Sequence, residues 1–183
     1  GDYAVMQDEQ PLNAKPEKIP HLKPAFRADG SVTAANASSI SDGAAAQIVS
    51  SQTHMQQAGL PCRARILGHA SHAQEPAWFS TAPIFATRKL LDRLNWRVED
   101  VDLWEVNEAF AVVPMAFMKE LDISGDIINV HGGACALGHP IGASGARIIV
   151  TLLHAMERRD VKRGIAAVCI GGGEGTAIAL ERP

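Results

Sequence analysis

Four short stretches of this 183-residue chain carry residue types whose spacing suits chemistry. From Gly132 to Gly145 there are five glycines in fourteen residues, together with His139 and Pro140. So much glycine brings backbone close to something that side chains would obstruct. Pro140 suits the first turn of a following helix, where its missing N–H costs nothing. His139 then lies at a positive helix end, which disfavours imidazolium and predicts a neutral ring able to accept a proton. A phosphate loop is the other reading, but no Gly-Lys-Ser/Thr follows. In the second stretch, Cys169 runs into Gly171-Gly172-Gly173. A Cys ending a buried strand is most often inert core. An amide aimed at a developing oxyanion, however, lowers a barrier by about 3 kcal/mol, and three glycines leave amides free to do so. The third, Asn107-Glu108-Ala109-Phe110, falls where a strand gives way to a helix, the edge at which ligands collect in open α/β sheets. Asn107 alone could equally cap that helix. The fourth, Asn36 to Gly43, reads by itself as a polar helix start.

Metal chemistry has little support. Cys135 and His139 are four apart and His69 and His72 three apart, the latter pair facing opposite sides of a strand. Neither Cys-x-x-Cys nor His-Glu-x-x-His occurs, so no metal and no cofactor are expected.

The elements that must position these residues follow from pattern. Residues 1–24 hold Pro11, Pro16, Pro20 and Pro24 and read as an extended linker, with one domain over 25–183. Ser41-Asp42-Gly43 opens an Ala-rich helix over 44–57, and Thr81-Ala82-Pro83 a second with Ile84, Leu90, Leu91 and Leu94 on one face. A third spans 109–121 and a fourth runs from Ile141 to Arg158. Strands are expected at 63–69, 102–106, 127–130, 165–170 and 176–180, with a further short one near Val32. This alternation predicts an α/β fold: a mixed, mostly parallel five-stranded sheet, helices on both faces and an antiparallel final strand.

Composition excludes several classes. Apolar residues are 46% and charged ones 20%, which is globular. A net charge of −3 gives no basic surface for nucleic acid, and no apolar run is long enough to cross a membrane. Three widely spaced cysteines suit a reducing, cytoplasmic compartment.

Taken together, Ala35–Gly43, Asn107–Phe110, Asn129–Gly145 and Cys169–Gly173 resemble the C-terminal half of the thiolases, specifically the acetyl-CoA acetyltransferase group. The likeness runs from Lys23 to the end. It implies that His139 activates a nucleophilic cysteine and that Cys169 is a second acid/base, serving the methyl carbon of an acetyl group and a leaving thiolate. Asn107 would orient a water in one oxyanion hole and Gly171 would donate its amide to another. Ser38 would touch the coenzyme A tail, and Phe110 and Phe79 would wall the acyl pocket. A cysteine beside a His or helix end is expected to have a lowered pKa. The resemblance also implies a missing partner, because neither Cys62 nor Cys135 has the family's nucleophile context. That cysteine belongs to an N-terminal half, and the chain is expected to be inactive alone, to bind acyl-CoA with that half and to be a homo-oligomer when complete. With small residues in its first turns, the helix from Ile141 would be the buried central one, leaving an apolar patch on an isolated half.

There are departures. His131 stands where the family has Asn, Ala35 where Gly is common and Phe79 where Met is common, which leaves acyl chain length open. A longer-chain 3-ketoacyl-CoA thiolase is the nearest rival. A non-catalytic acyl-CoA carrier is a more distant one, against which the presence of both His139 and Cys169 argues.

Overall fold

The computed structural model describes residue 4 and residues 6–183. The proline-rich start forms a single-turn helix α1 (Glu9–Asn13), capped by the Asp8 carboxylate, and a 3-10 turn over Pro16–His21. The Ala-rich run does not form the expected helix. Residues 42–51 have no regular secondary structure, and only α2 (Gln52–Gln57) is helical, capped by the Ser51 hydroxyl rather than by Ser41 or Asp42. A short helix needs a face to pack, and here Ile48 and Val49 are 95% and 74% exposed.

Four strands follow: β1 (Arg65–Ala73), β2 (Leu103–Val106), β3 (Arg163–Ile170) and β4 (Glu174–Glu181). They form one mixed sheet in the order β1-β4-β3-β2. β3 and β4 make an antiparallel hairpin, β1 pairs antiparallel with β4, and β2 runs parallel to β3. The sheet is therefore four-stranded, and its pairings are mainly antiparallel, not mostly parallel. The expected strand at 127–130 is replaced by a 3-10 turn over Gly125–Ile127 and a lone bridge from Ile128 to Trp104. Asn129 explains the change. Its φ of +46° turns the backbone away, and its side-chain amide takes over the pairing, accepting from Val106 N at 2.7 Å and donating to Val106 O at 2.8 Å. The strand expected near Val32 is also absent, since this stretch is a turn bound by the Asn36 side chain to Thr33 N and Ser31 O.

Helices do cover both faces. α3 (Ala82–Leu94) and α4 (Val112–Leu121) lie on one, against Trp104, Val106, Ile165, Ala167 and Cys169. After the single turn α5 (Ala134–Leu137), α6 (Ser144–Arg159) covers the other, setting Ile148, Leu152 and Met156 against Leu103, Ala166 and Leu180. Successive strand residues alternate between these two cores, as pleating requires. α3, α4 and α6 end on Asn95, Asp122 and Asp160 in left-handed geometry, the role glycine usually takes. Helix α6 starts at Ser144, three residues later than expected. Pro140 lies outside it, and its carbonyl accepts from Ala143 N and Ser144 N.

Candidate active site

The parallel pair β2–β3 sets the site. Val106 lies opposite Ala167, and Asn107 extends the pairing by donating its backbone N–H to Ala167 O at 2.9 Å. Cys169 is two residues beyond Ala167 on the same strand. Asn107 and Cys169 thus lie at the ends of neighbouring strands along one edge of the sheet, Asn107 on the face toward α6 and Cys169 on the opposite face. Asn107 does not cap α4, which begins five residues later at Val112 with no side-chain cap.

Loop 132–143 delivers His139 to that edge. Gly138 takes φ +91°, and a Cβ there would run into the Ser41 side chain. The next residue, His139, donates its backbone N–H to Ser39 O. Segment 36–40 is also stitched to the turn after Asn107, through Ala111 N to Asn36 O at 2.8 Å and Ser38 N to Ala109 O at 3.1 Å. The fourth sequence stretch is therefore a strap joining the other motifs, not a helix start.

The hydrogen bonds fix the histidine tautomer. Ser144 Oγ donates to the Pro140 carbonyl at 3.0 Å, which can only accept. Its oxygen therefore accepts from His139 Nδ1–H, 2.6 Å away. Nε2 is left with a lone pair, which receives Asn107 Nδ2–H at 3.3 Å. Burial, and then the nearby Arg147 charge, push the His139 pKa below the usual imidazole value. The ring is biased toward the neutral form, as expected, but by burial and Arg147 rather than by a helix end. Behind it, Arg147 NH2 donates to Asn107 Oδ1 at 3.2 Å and NH1 to Glu105 Oε1 at 3.0 Å. Burial lifts the Glu105 carboxyl to about 7, against the pull of Arg147.

Cys169 is 7% exposed, and burial pushes its thiol up to about 11. The lowered pKa expected from the sequence is not found, because the strand end is enclosed by apolar packing. A protonated Cys169 at neutral pH is a proton donor first and a base only after giving that proton up. Gly171 is exposed in the turn joining β3 to β4. Gly173, at φ +95°, is so close to the Gln74 carbonyl that no Cβ would fit, and its own carbonyl accepts from Gln74 N. Cys135 is no activated nucleophile. Burial and the adjacent Glu108 hold its thiol at about 11, and its backbone N–H binds the Glu108 carboxylate at 3.0 Å.

Ser38 is half-buried, and its hydroxyl donates to Ala109 O at 2.9 Å, so its oxygen remains free to accept. The Phe79 and Phe110 rings meet edge to face at 6.2 Å. Phe26, which the sequence reading passed over, completes an aromatic trio with its centroid 5.7 Å from that of Phe110. His131 is exposed. Beside the His139 loop lies an open recess of about 410 Å³ between Ser41–Ala45 and Pro140–Ala143. Among the described residues no group of three or more His, Cys, Asp or Glu side chains is disposed to hold a metal ion. Glu105, Ser144 and Arg147 were also missed. Two spacings could have pointed to them: Glu105 shares a strand face with Asn107, and Ser144 and Arg147 are three apart on one helix face.

His139 and Asn107 therefore meet at one edge of a mixed sheet, and the buried Cys169 lies on the neighbouring strand at that edge. The family model described as thiolase, C-terminal domain, matches residues 60–182, and that described as thiolase, N-terminal domain, matches residues 1–53. The chain belongs to the thiolase family. It is 53% identical over 176 residues to an acetyl-CoA acetyltransferase of Pseudomonas aeruginosa, covering 96% of this chain and 45% of that protein. The crystal structure of the Bacillus anthracis acetyl-CoA acetyltransferase superposes with a TM-score of 0.92 at 45% identity, over 97% of this chain and 45% of that one. A thiolase from Ascaris suum, solved in complex with coenzyme A, gives 0.87 at 42% identity, over 98% and 47%. The chain thus spans less than half the length of these relatives. Among the described residues no helix is long and apolar enough to cross a membrane.

Proposed function

We propose that this chain supplies the acid/base and oxyanion groups of an acetyl-CoA C-acetyltransferase, which condenses two acetyl-CoA to acetoacetyl-CoA or cleaves the product with coenzyme A. The nucleophilic cysteine comes from an N-terminal thiolase segment of the same enzyme. The observation that carries this reading is the placement of His139, with Nδ1 2.6 Å from Ser144 Oγ and Nε2 3.3 Å from Asn107 Nδ2, at the sheet edge near which β3 carries Cys169.

In the cleavage direction, His139 Nε2 takes the proton of the nucleophilic thiol. The thiolate adds to the 3-keto carbonyl carbon, and a water held by Asn107 receives the developing oxyanion. The carbon–carbon bond breaks and its electron pair passes into the enolate of acetyl-CoA, whose oxygen accepts from the Gly171 amide. Cys169 then gives its thiol proton to the enolate carbon, the role suited to a thiol that is protonated at neutral pH. The resulting Cys169 thiolate takes the proton of an incoming coenzyme A thiol. That thiolate attacks the acyl-enzyme thioester and releases the cysteine, which recovers its proton from His139. Condensation reverses each step. The free oxygen lone pairs of Ser38 suit an amide N–H of the coenzyme A tail, and Phe79 and Phe110 wall the acyl site. Three free thiols suit a reducing cytoplasm. Exposed Ile40, Ile48, Val49 and Ile141 supply surface for the N-terminal segment and for a homo-oligomer.

Thiolysis of acetoacetyl-CoA and of 3-ketohexadecanoyl-CoA by the full-length protein tests this. Preference for acetoacetyl-CoA is expected, whereas preference for the long substrate would assign a longer-chain 3-ketoacyl-CoA thiolase. Robust turnover by the 183 residues alone would refute the external nucleophile.

A further inference from the structure

We infer that Arg147 is a positioning residue for the proposed reaction: anchored on buried Glu105, its guanidinium holds the Asn107 amide with Oδ1 inward and Nδ2 toward His139. The inference rests on the acyl-transfer reading above and adds to it the group that orients Asn107.

An asparagine amide is nearly symmetric in shape and opposite in polarity at its two ends. If Asn107 flipped, its oxygen lone pairs would face the Nε2 lone pair of His139, and the site would lose both the donor and the neutral base. Packing alone distinguishes the two orientations poorly. A guanidinium distinguishes them absolutely, because all of its N–H groups donate and none of its atoms accepts. Arg147 NH2 at 3.2 Å from the amide oxygen therefore admits one orientation.

The placement follows from both elements. Glu105 and Asn107 are two apart along β2 and its extension, so they face the same side of the sheet, toward α6. They are 1% and 0% exposed. On α6, Ser144 and Arg147 are one turn apart, and Ser144 sits beneath His139 while Arg147 sits beneath Asn107. The first turn of α6 thus fixes both partners of the same hydrogen bond. Only a fork can serve Glu105 and Asn107 together, with NH1 on one and NH2 on the other. A lysine ammonium is a point charge and cannot span the pair. A buried ion pair is a poor source of net stability, so orientation accounts for Glu105–Arg147 better than stability does.

The test is a double-mutant cycle in the full-length protein, with Arg147→Met and Arg147→Lys each made alone and in an Asn107→Ala background. Arg147→Met should lower kcat about 100-fold, the scale of losing one aligned donor, with KM changed less than about threefold. Arg147→Lys, which keeps a cation for Glu105 and carries the test if Arg147→Met does not fold, should recover little of that loss. In the Asn107→Ala background either change should cost less than about threefold, because the residue it orients is gone. Equal losses in both backgrounds, or an unchanged kcat in the single variants, overturn the inference. If the unsubstituted protein cleaves no 3-ketoacyl-CoA, the proposed function falls, and the Asn107 side-chain amide resonance decides the positioning claim separately. A shifted Asn107 Nδ2 signal in Arg147→Lys supports it, and an unmoved one overturns it.

Discussion

At His139 the proton inventory is closed by two hydroxyl-scale distances: Nδ1 to Ser144 Oγ at 2.6 Å, and Ser144 Oγ to the Pro140 carbonyl at 3.0 Å. Ser144→Ala leaves Nδ1–H without its partner and lets the ring tautomerise. The expected loss in kcat is about tenfold to a hundredfold, the kinetic equivalent of about 1–3 kcal/mol for an unpaired buried donor. Steady-state kinetics with an intact circular dichroism spectrum checks this. The pH dependence has a definite sign. The working form of His139 is neutral, and its pKa is lowered from the usual 6.5 by burial and by Arg147. His139 itself should therefore impose no acid limb on kcat/KM until the pH falls below 6.5. Arg147→Met removes the repelling charge and should move that limb upward. His139, Asn107 and Cys169 stand out in the sequence because each sits in a stretch whose composition is odd for pure structure, and the fold brings the first two into contact. Ser144, Arg147 and Glu105 do not, because their roles depend on an approach between β2 and α6 across some 40 residues. The thiol of Cys169 was misjudged for a related reason, since enclosure on a strand end is a property of the packed fold.

Among the elements, those with strong periodicity were readable and those decided by a single residue or a missing surface were not. α3 and the β3–β4 hairpin lie where the apolar spacing and the glycine turn put them. The strand at 127–130 was lost to Asn129, whose left-handed backbone and side-chain pairing with Val106 no hydropathy pattern reveals. The helix expected over 44–57 was lost because alanine content supplies propensity without a face to bury. Two substitutions test the elements that position the site. Gly173→Ala must force a Cβ against the Gln74 carbonyl at φ +95°, at a cost of about 1–3 kcal/mol or more, read as a lowered Tm. Leu152→Ala opens a cavity between α6 and the sheet and should cost about 2–5 kcal/mol in denaturant unfolding.

For the whole molecule, the residues of the two cores on either face of the sheet are buried, while Ile40, Ile48, Val49 and Ile141 remain 73–95% exposed. Such residues on one chain invite association. The 183-residue chain alone should therefore self-associate with rising concentration in analytical ultracentrifugation, and replacing Ile48 and Val49 together with lysine should reduce that association. The class of the fold, with helices on both faces of a mixed sheet, was legible from the order of the elements. The antiparallel final strand was legible too, but the strand count and the direction of β1 were not, because β1 and β4 meet only after the chain has passed through the intervening elements.

Hydrogen exchange at the methyl group of acetyl-CoA in deuterated water, followed by proton NMR with the full-length protein, tests most directly whether Cys169 moves a proton at carbon. The unsubstituted protein should exchange the methyl protons, and Cys169→Ala should become acetylated yet exchange none. Exchange by Cys169→Ala at the unsubstituted rate would contradict the account.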